Sequence, residues 1–375
     1  MVYLDHNATT PIATPVLEAM LPFLSDRWGN PSSSYSFGAS IRGEIEKARR
    51  DIAEMLGCRA SEIVFTSGGT EGNNTALHSA VCSFPSKKHV VTSSVEHPSV
   101  IQYCKMLEGI GYRVTYIQTD SEGRLPLDLL AQAISSETAL VSLMWANNET
   151  GVLFPMEEII SICNQRKVSL HTDASQIVGK LKVNLEDMGV DMLTLTGHKF
   201  NAPKGVGALY IKKGTPYEGL IYGGHQEASR RGGTESVASI VGLGAAAKLS
   251  TSTIKSGENV RRLRDLLESK LIGLVPNAEV NGGGAERLPN TSNISFLGID
   301  SQALLLLLDQ AGICASSGSA CLALDDSPSY VIEAMKPGGA HARSCIRFSL
   351  SAKTEEAEIV RAASIIAETV SRLST

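Results

Sequence analysis

The chain has 375 residues, of which 43% are hydrophobic and 19% charged, with 34 glycines. That length allows two domains and a large core. A formal net charge of −5 speaks against a surface that coats nucleic acid, and no direct nucleic-acid binding is expected.

The opening stretch, MVYLDHNATTP, has no basic region leading into an apolar run, so no secretory signal is expected. Its ordinary reading is an arm lying on the surface. Pro15 to Leu24 has apolar residues at helical spacing, and Ser40 to Leu56 is a second helix stopped by Gly57. Between them WGNPSSSYSFG is loop by composition. A strand–helix alternation then begins, with Glu62 to Thr66 a strand, Ser67-Gly68-Gly69 a turn, and a helix starting near Thr70. The next strand is His89 to Ser93, which leads to Glu96-His97-Pro98-Ser99 at a helix start. Tyr112–Thr119, Thr138–Trp145, Val168–Asp173, Asp191–Thr196 and Gly207–Ile211 are the further strands, with helices over Leu127–Ile134 and Met156–Arg166.

Strands alternating with helices imply a mainly parallel sheet covered on both faces, and such sheets bind ligands beyond the carboxyl ends of their strands. Polar clusters sit at those ends: SGGTEGNN, EHPS, ANNETG, HTDASQ and TGHKFNAPKG. The glycines of the first would let backbone N–H groups at a helix N-terminus cradle a phosphate, although such a turn is also common with no ligand. Lys199 follows the strand Asp191–Thr196. A lysine there is ordinarily a solvated surface residue, and only the company of the other clusters argues for an active amine.

A basic glycine-rich loop (Gly223 to Thr234) precedes a helical tract over about 235–273, which is expected to break at the Ser/Thr run 250–253 and to connect to a second domain. After it come a strand (Asn290–Phe296), a helix (Ser301–Ala311), a small-residue loop reaching Cys321, a strand (Ile346–Leu350) and a closing amphipathic helix (Thr354–Leu373). No uncharged apolar stretch reaches membrane-spanning length, and no membrane partner is expected. The seven cysteines (Cys58, Cys82, Cys104, Cys163, Cys314, Cys321, Cys345) are scattered with no C-x-x-C pair. That fits a reducing cytoplasm and gives neither a disulfide framework nor a zinc site. Most are expected to be small buried hydrophobes, Cys314 among them. Cys321, in Gly318-Ser319-Ala320-Cys321 with little to pack, is the candidate for a reactive thiol.

With these residues in view the sequence resembles the cysteine desulfurases of the NifS/IscS type, in the class-V aminotransferase group of fold-type I pyridoxal phosphate enzymes. LDHNATTP, GNPSS, GGTEGNN, EHPSV, NNETG, HTDASQ, GHKFNAPKG, RRGGTE, SSGSAC and IRFSL carry the resemblance over nearly the whole chain. It implies an α/β fold. A large pyridoxal-phosphate-binding domain (13–253) would hold a seven-stranded-type sheet, and a smaller α+β domain (1–12 plus 254–375) would carry the cysteine loop.

The resemblance also implies roles. Lys199 would hold pyridoxal 5'-phosphate and later move protons, which needs an amine that is neutral part of the time. Asp173 would pair with the ring nitrogen, Gln176 with the phenolate oxygen, and His97 would stack on the ring. Gly69, Thr70, Thr196, His198 and, from the other subunit of a homodimer, Thr234 would hold the phosphate, with Gly197 giving space beside it. Asn148 and Arg347 would bind the carboxylate of L-cysteine. Cys321 would take the sulfur as a persulfide, for delivery to a sulfur-acceptor or Fe–S scaffold protein. Two departures stand out: Leu322-Ala323-Leu324 replaces small polar residues after the cysteine, and Ser351-Ala352-Lys353 replaces a glycine after IRFSL. A selenocysteine lyase, another β-eliminating relative and a sulfur-relay scaffold with a vestigial cofactor site are the alternatives. A nicotinamide dehydrogenase lacks its GxGxxG.

Overall fold

The computed structural model describes residues 1–186, 188–318 and 327–374. In chain order its first elements are β1 (Val2–Tyr3), α1 (Thr14–Met20) and α2 (Ser36–Leu56). The alternating section follows: β2 (Ile63–Thr66), α3 (Gly69–Ser83), β3 (His89–Ser93), α4 (Pro98–Gly109), β4 (Arg113–Ile117), α5 (Leu127–Ala133) and β5 (Thr138–Met144). It continues with α6 (Met156–Arg166), β6 (Ser169–Asp173), β7 (Met192–Thr196) and β8 (Gly207–Ile211). The last third holds α7 (Val237–Lys255), α8 (Gly257–Leu274), β9 (Ala278–Val280), β10 (Thr291–Phe296), α9 (Ser301–Gln310) and β11 (Ile313–Cys314). It closes with α10 (Tyr330–Met335), α11 (Ala340–Ser344), β12 (Cys345–Ser349) and α12 (Glu356–Leu373).

Seven strands form one sheet in the order β2-β8-β7-β6-β5-β3-β4. Only β8 runs against its neighbours, pairing antiparallel with both β2 and β7. The strands β2, β3, β5, β6 and β7 therefore share a direction, and their carboxyl ends lie along one edge. Buried apolar side chains such as Val141, Leu143, Leu170, Leu193 and Leu195 cover the sheet under its helices. A second cluster gathers Leu4, Leu263, Leu267, Ile294, Phe296, Leu304, Phe348 and Ile366 around the antiparallel β12-β10-β9 sheet.

The helix α7 has the length and composition of a membrane span, yet Ile240, Leu243, Ala246 and Ala247 are core residues. It also passes unbroken through the Ser/Thr run. Ser250 and Ser252 donate to the carbonyls of Ala247 (2.6 Å) and Leu249 (2.7 Å), which satisfies the hydroxyls inside the helix. The break falls instead at Ser256-Gly257.

The N-terminal arm is buried, not laid on the surface. Strand β1 pairs with β11, Leu4 is fully buried, and the Asn7 N–H donates to Ser349 Oγ at 2.8 Å. Among the described cysteines Cys104, Cys163 and Cys345 are buried, Cys58 and Cys314 half-buried and Cys82 exposed. Cys314 thus sits in a short edge strand outside the fully buried core.

Candidate active site

A cavity of about 170 Å³ lies at the shared strand edge, lined by the residues that follow β2, β3, β5, β6 and β7 and by the arm. The N-terminus of the 15-residue α3 forms one wall. Gly68 precedes it with φ of 147°, which only glycine adopts readily. A Cβ on Gly72 would stand 2.6 Å from Thr194 Cγ2, so this glycine lets α3 lie directly on β7. The first-turn N–H groups of such a helix have no helical acceptor, and its dipole favours an anion. Gly69, Thr70, Thr196 and His198 line this cavity and also a neighbouring recess on the α3 side.

Asp173 closes β6 and is tied to α3. Its Oδ1 accepts from the Ser175 N–H at 2.9 Å and its Oδ2 from Asn73 Nδ2 at 2.7 Å. Asn73 Nδ2 also donates to Ser99 Oγ at 2.9 Å. Ser99 in turn serves His97: its backbone N–H (3.2 Å) and hydroxyl (2.8 Å) both face Nδ1. Two donors on Nδ1 leave the ring proton on Nε2. Burial, helped by the charge of Lys199 and opposed by Asp173, holds His97 below the ordinary histidine range, so the ring is neutral at pH 7. His198 is pushed down to about 4, first by burial and then by Lys199, Lys204 and His97.

Lys199 sits in a tight 3-10 turn after β7. Its Nζ donates to the backbone carbonyls of Asn7 (2.6 Å) and Ala8 (2.8 Å). The arm thus reaches the sheet edge from the far end of the sequence. Gln176, three residues beyond Asp173, donates through Nε2 to the same Asn7 carbonyl at 3.2 Å.

At the remaining end of the cavity, Arg347 is almost fully buried on β12. Its Nη2 donates to Asp5 Oδ1 at 2.7 Å and its Nη1 to the Asn148 carbonyl at 3.1 Å. Arg347 Nε and Asn148 Oδ1 are buried with no hydrogen-bond partner among the described residues. Buried polar atoms left in this state cost free energy unless a ligand meets them.

Lys199, His97, Asp173, Gln176, Gly69, Thr70, Thr196, His198, Asn148 and Arg347 therefore line one cavity. Two expected residues do not. Gly197 points its missing Cβ at Ala202 and Leu243, each 2.9 Å from where a Cβ would stand, so it gives space to the core and not to the cavity. Thr234 lies in a separate recess with Ser67, Gly205 and Arg231. Cys321 lies outside the described residues, as do the neighbouring Leu322, Ala323 and Leu324. Asn7, Ala8, Asn73 and Ser175 line the cavity as well. The strings LDHNATTP, GGTEGNN and HTDASQ contained them, but no spacing rule says which member of a string faces inward.

Residues 2–361 match the aminotransferase class-V family. A cysteine desulfurase from Nostoc sp. is 48% identical over 374 residues, spanning 100% of this chain and 94% of that protein. Among solved structures, one described as a NifS-like protein superposes with a TM-score of 0.93 at 36% identity, covering 99% of this chain and 100% of its own. Another, described as SspA in complex with cysteine, gives 0.83 at 35% identity, covering 95% and 100%. With motifs, sheet order and cavity all in agreement, the chain belongs to the class-V aminotransferase family and, within it, to the NifS-type cysteine desulfurases.

Proposed function

We propose that the chain converts L-cysteine into L-alanine with pyridoxal 5'-phosphate as cofactor, and that the sulfur passes to the thiol of Cys321 for delivery to an acceptor or Fe–S scaffold protein. The observation that carries this reading is the single cavity in which an amine, a buried carboxylate, a neutral imidazole and the unsatisfied atoms of Asn148 and Arg347 meet. The residues fit the cofactor chemically. Helix α3 offers free N–H groups to a phosphate, Asp173 accepts from a protonated ring nitrogen, and Lys199 supplies the amine for an aldehyde.

When bound, the cofactor supplies an electron sink for the α-carbon of the substrate. The chain does the rest. Gly69, Thr70, Thr196 and His198 hold the phosphate. Asp173 keeps the ring nitrogen charged, and Gln176 Nε2 donates to the ring oxygen. Arg347 and Asn148 take the substrate carboxylate, and Nε, buried with no partner among the described residues, is a donor still available on an arginine already tied to Asp5. His97 covers the ring and moves a proton at Nε2, since Nδ1 is committed to Ser99. Lys199 Nζ moves protons on the substrate carbons. Sulfur leaves the β-carbon as the C–S bond breaks and an S–S bond forms to Cys321, so that alanine and a persulfide are the products. Both flanks of the cysteine segment reach Glu149, the neighbour of Asn148. Ser329 Oγ donates to Glu149 Oε2 at 2.5 Å, and a Cβ on Gly318 would stand 2.9 Å from it. That supports delivery of the thiol to this side of the cavity.

The cluster around β12-β10-β9, built of residues 2–4 and 260–370, supports a working division into domains 13–253 and 1–12 plus 254–375, with Leu288, Val331, Ile332, Met335, Ala342 and Cys345 packing into the core of the large sheet. The six described cysteines are free thiols, in keeping with a cytoplasmic location. We further take the working form as a homodimer in which Thr234 serves the phosphate site of the other copy. Leu17, Leu21, Leu24, Trp28 and Tyr35, between 43% and 73% exposed on one short stretch, are the apolar surface such a partner would cover.

The test is purified protein given cofactor and isotope-labelled L-cysteine. One alanine per cysteine consumed, and the mass of one added sulfur on the Cys321 peptide, are expected; Lys199→Ala should yield neither. Protein that shows no visible cofactor band, or releases no alanine, would sink the reading. Cys321→Ala should stop desulfuration, and a variant that still frees selenium from selenocysteine would move the chain to the lyases.

A further inference from the structure

Lys180 is a half-buried cation that the reaction outlined above does not use. It follows Gln176 by four residues, and its ammonium donates to Gln176 Oε1 (2.5 Å) and to Asn7 Oδ1 (2.9 Å). No carboxylate pairs with it among the described residues. An ammonium has donors only, so the atom each amide turns toward it has to be the oxygen. This settles the Gln176 amide, and it settles the Asn7 amide together with Asn290, whose Nδ2 donates to the same Oδ1 at 3.1 Å. Gln176 is left with its nitrogen toward the Asn7 carbonyl that also receives Lys199. Asn7 is left with its nitrogen toward Thr291 Oγ1 (2.8 Å) and the Asn148 carbonyl (3.3 Å), which also receives Arg347. Both amides line the cavity.

We propose that Lys180 is a positioning residue that locks the amides of Gln176 and Asn7 in the orientation the cavity requires, donor side inward at the cofactor ring and at the carboxylate corner. Without it, a half-turn of the Gln176 amide would set an acceptor against the ring oxygen, converting an attraction into a repulsion. The charged and titratable groups around Lys180 are Lys199 at the end of β7, Arg347 on β12 and His6 in the arm, with Asp5 and Glu358 facing His6. Burial and the charges of Lys199 and Arg347 hold its own ammonium well below the usual lysine range. A lysine in that position is retained against its own desolvation, and the two oxygens it reads are what it gains. The inference rests on the cofactor assignment above and concerns how the ring is oriented.

The experiment compares wild type, K180M, K180R, Q176A and K180M/Q176A, each loaded with pyridoxal 5'-phosphate, by pH titration of the visible cofactor band and by cofactor affinity. K180M should raise the midpoint of that titration by about one pH unit, because a donor to the ring oxygen and a nearby positive charge are both lost. It should also weaken cofactor binding about tenfold, the worth of one charge-assisted hydrogen bond. K180R, which keeps both donors and the charge, should restore most of each. K180M/Q176A should be hardly worse than the more affected single variant, since both remove the same contact. A K180M midpoint equal to wild type, or effects of Lys180 and Gln176 that add in full, would overturn the proposal. If K180M does not fold, K180R must restore both the fold and the wild-type midpoint; restoring the fold alone would leave Lys180 a structural support and end the argument. A wild type with no visible band would instead count against the cofactor assignment.

Discussion

Glu96 holds its proton in a range where most glutamates have lost theirs. Its side chain is fully buried, with Oε1 accepting from Ser93 Oγ (2.6 Å) and the Met144 N–H (3.0 Å). Burial outweighs those bonds, and the charge of Asp173 adds to it, so the carboxyl is pushed up to about 8. The folded chain then binds this proton more tightly than the unfolded chain. The stability it contributes is complete below about pH 4.5 and is lost as pH rises through about 8. Glu96→Gln cannot ionise and keeps an oxygen for both donors. Thermal melts from about pH 6 to pH 9 should show the wild type losing several degrees relative to this variant; parallel curves would mean that Glu96 is charged throughout. Asn73 is the second test at this scale, because its Nδ2 ties Asp173 to Ser99 and, through Ser99, to His97. Asn73→Ala removes a hydrogen bond to a buried charge, worth about 1.5–3 kcal/mol. A loss of roughly 10- to 100-fold in kcat/KM for alanine release should follow, with the larger part in kcat.

The elements of the sheet were legible because each carries its own signal. β3, β8 and α6 span the residues that periodicity and turn chemistry assign to them, and Gly57 ends α2 in the left-handed conformation that suits it. What could not be read was whatever depends on distant partners. The arm looks like polar surface until Ser349, Cys314 and Lys199 come to meet it. The turn at Glu227-Ala228-Ser229 is a further case, with three successive non-glycine residues at φ of 50°, 56° and 64°. Nothing local favours it. Arg49 of α2 holds it through a two-pronged pair with Glu227 (2.6 and 2.8 Å), whose Oε2 also accepts the Phe65 N–H. Arg231, just beyond, grips Glu71 at the start of α3. The strained turn therefore fixes the loop that carries Thr234 to α3, the helix proposed above to cradle the phosphate. Arg49→Met leaves Glu227 buried and unpaired and should cost about 3–5 kcal/mol in urea unfolding. Adding Glu227→Gln should return part of that loss, since the stranded charge is gone; a double variant as unstable as the sum of the two singles would refute this account.

At the scale of the molecule, the decisive issue is whether each cavity is complete within one chain. Thr234 lies in a recess beside Ser67 and Gly205, while Gly69 and Thr70 face the main cavity across the start of α3. A threonine that serves its own phosphate site and one that serves a neighbour's predict opposite results when two damaged chains are mixed. Thr234→Ala keeps Lys199 and lacks the hydroxyl; Lys199→Ala keeps the hydroxyl and lacks the amine. If Thr234 acts across a two-fold interface, a mixed dimer has one site with both groups and one with neither. Random pairing makes about half the dimers mixed, so unfolding and refolding equal amounts together should yield roughly a quarter of wild-type alanine release per chain, above the activity of either variant alone. If Thr234 acts within its own chain, no site in the mixture regains both groups and mixing adds nothing. The exposed stretch from Leu17 to Tyr35 supplies the control. Leu24→Asp with Trp28→Ala places a charge in that apolar patch and removes its largest side chain, and should shift sedimentation from twice 39.8 kDa toward the single chain. In that background the gain from mixing should vanish, because a hydroxyl contributed by a second copy is lost along with the copy.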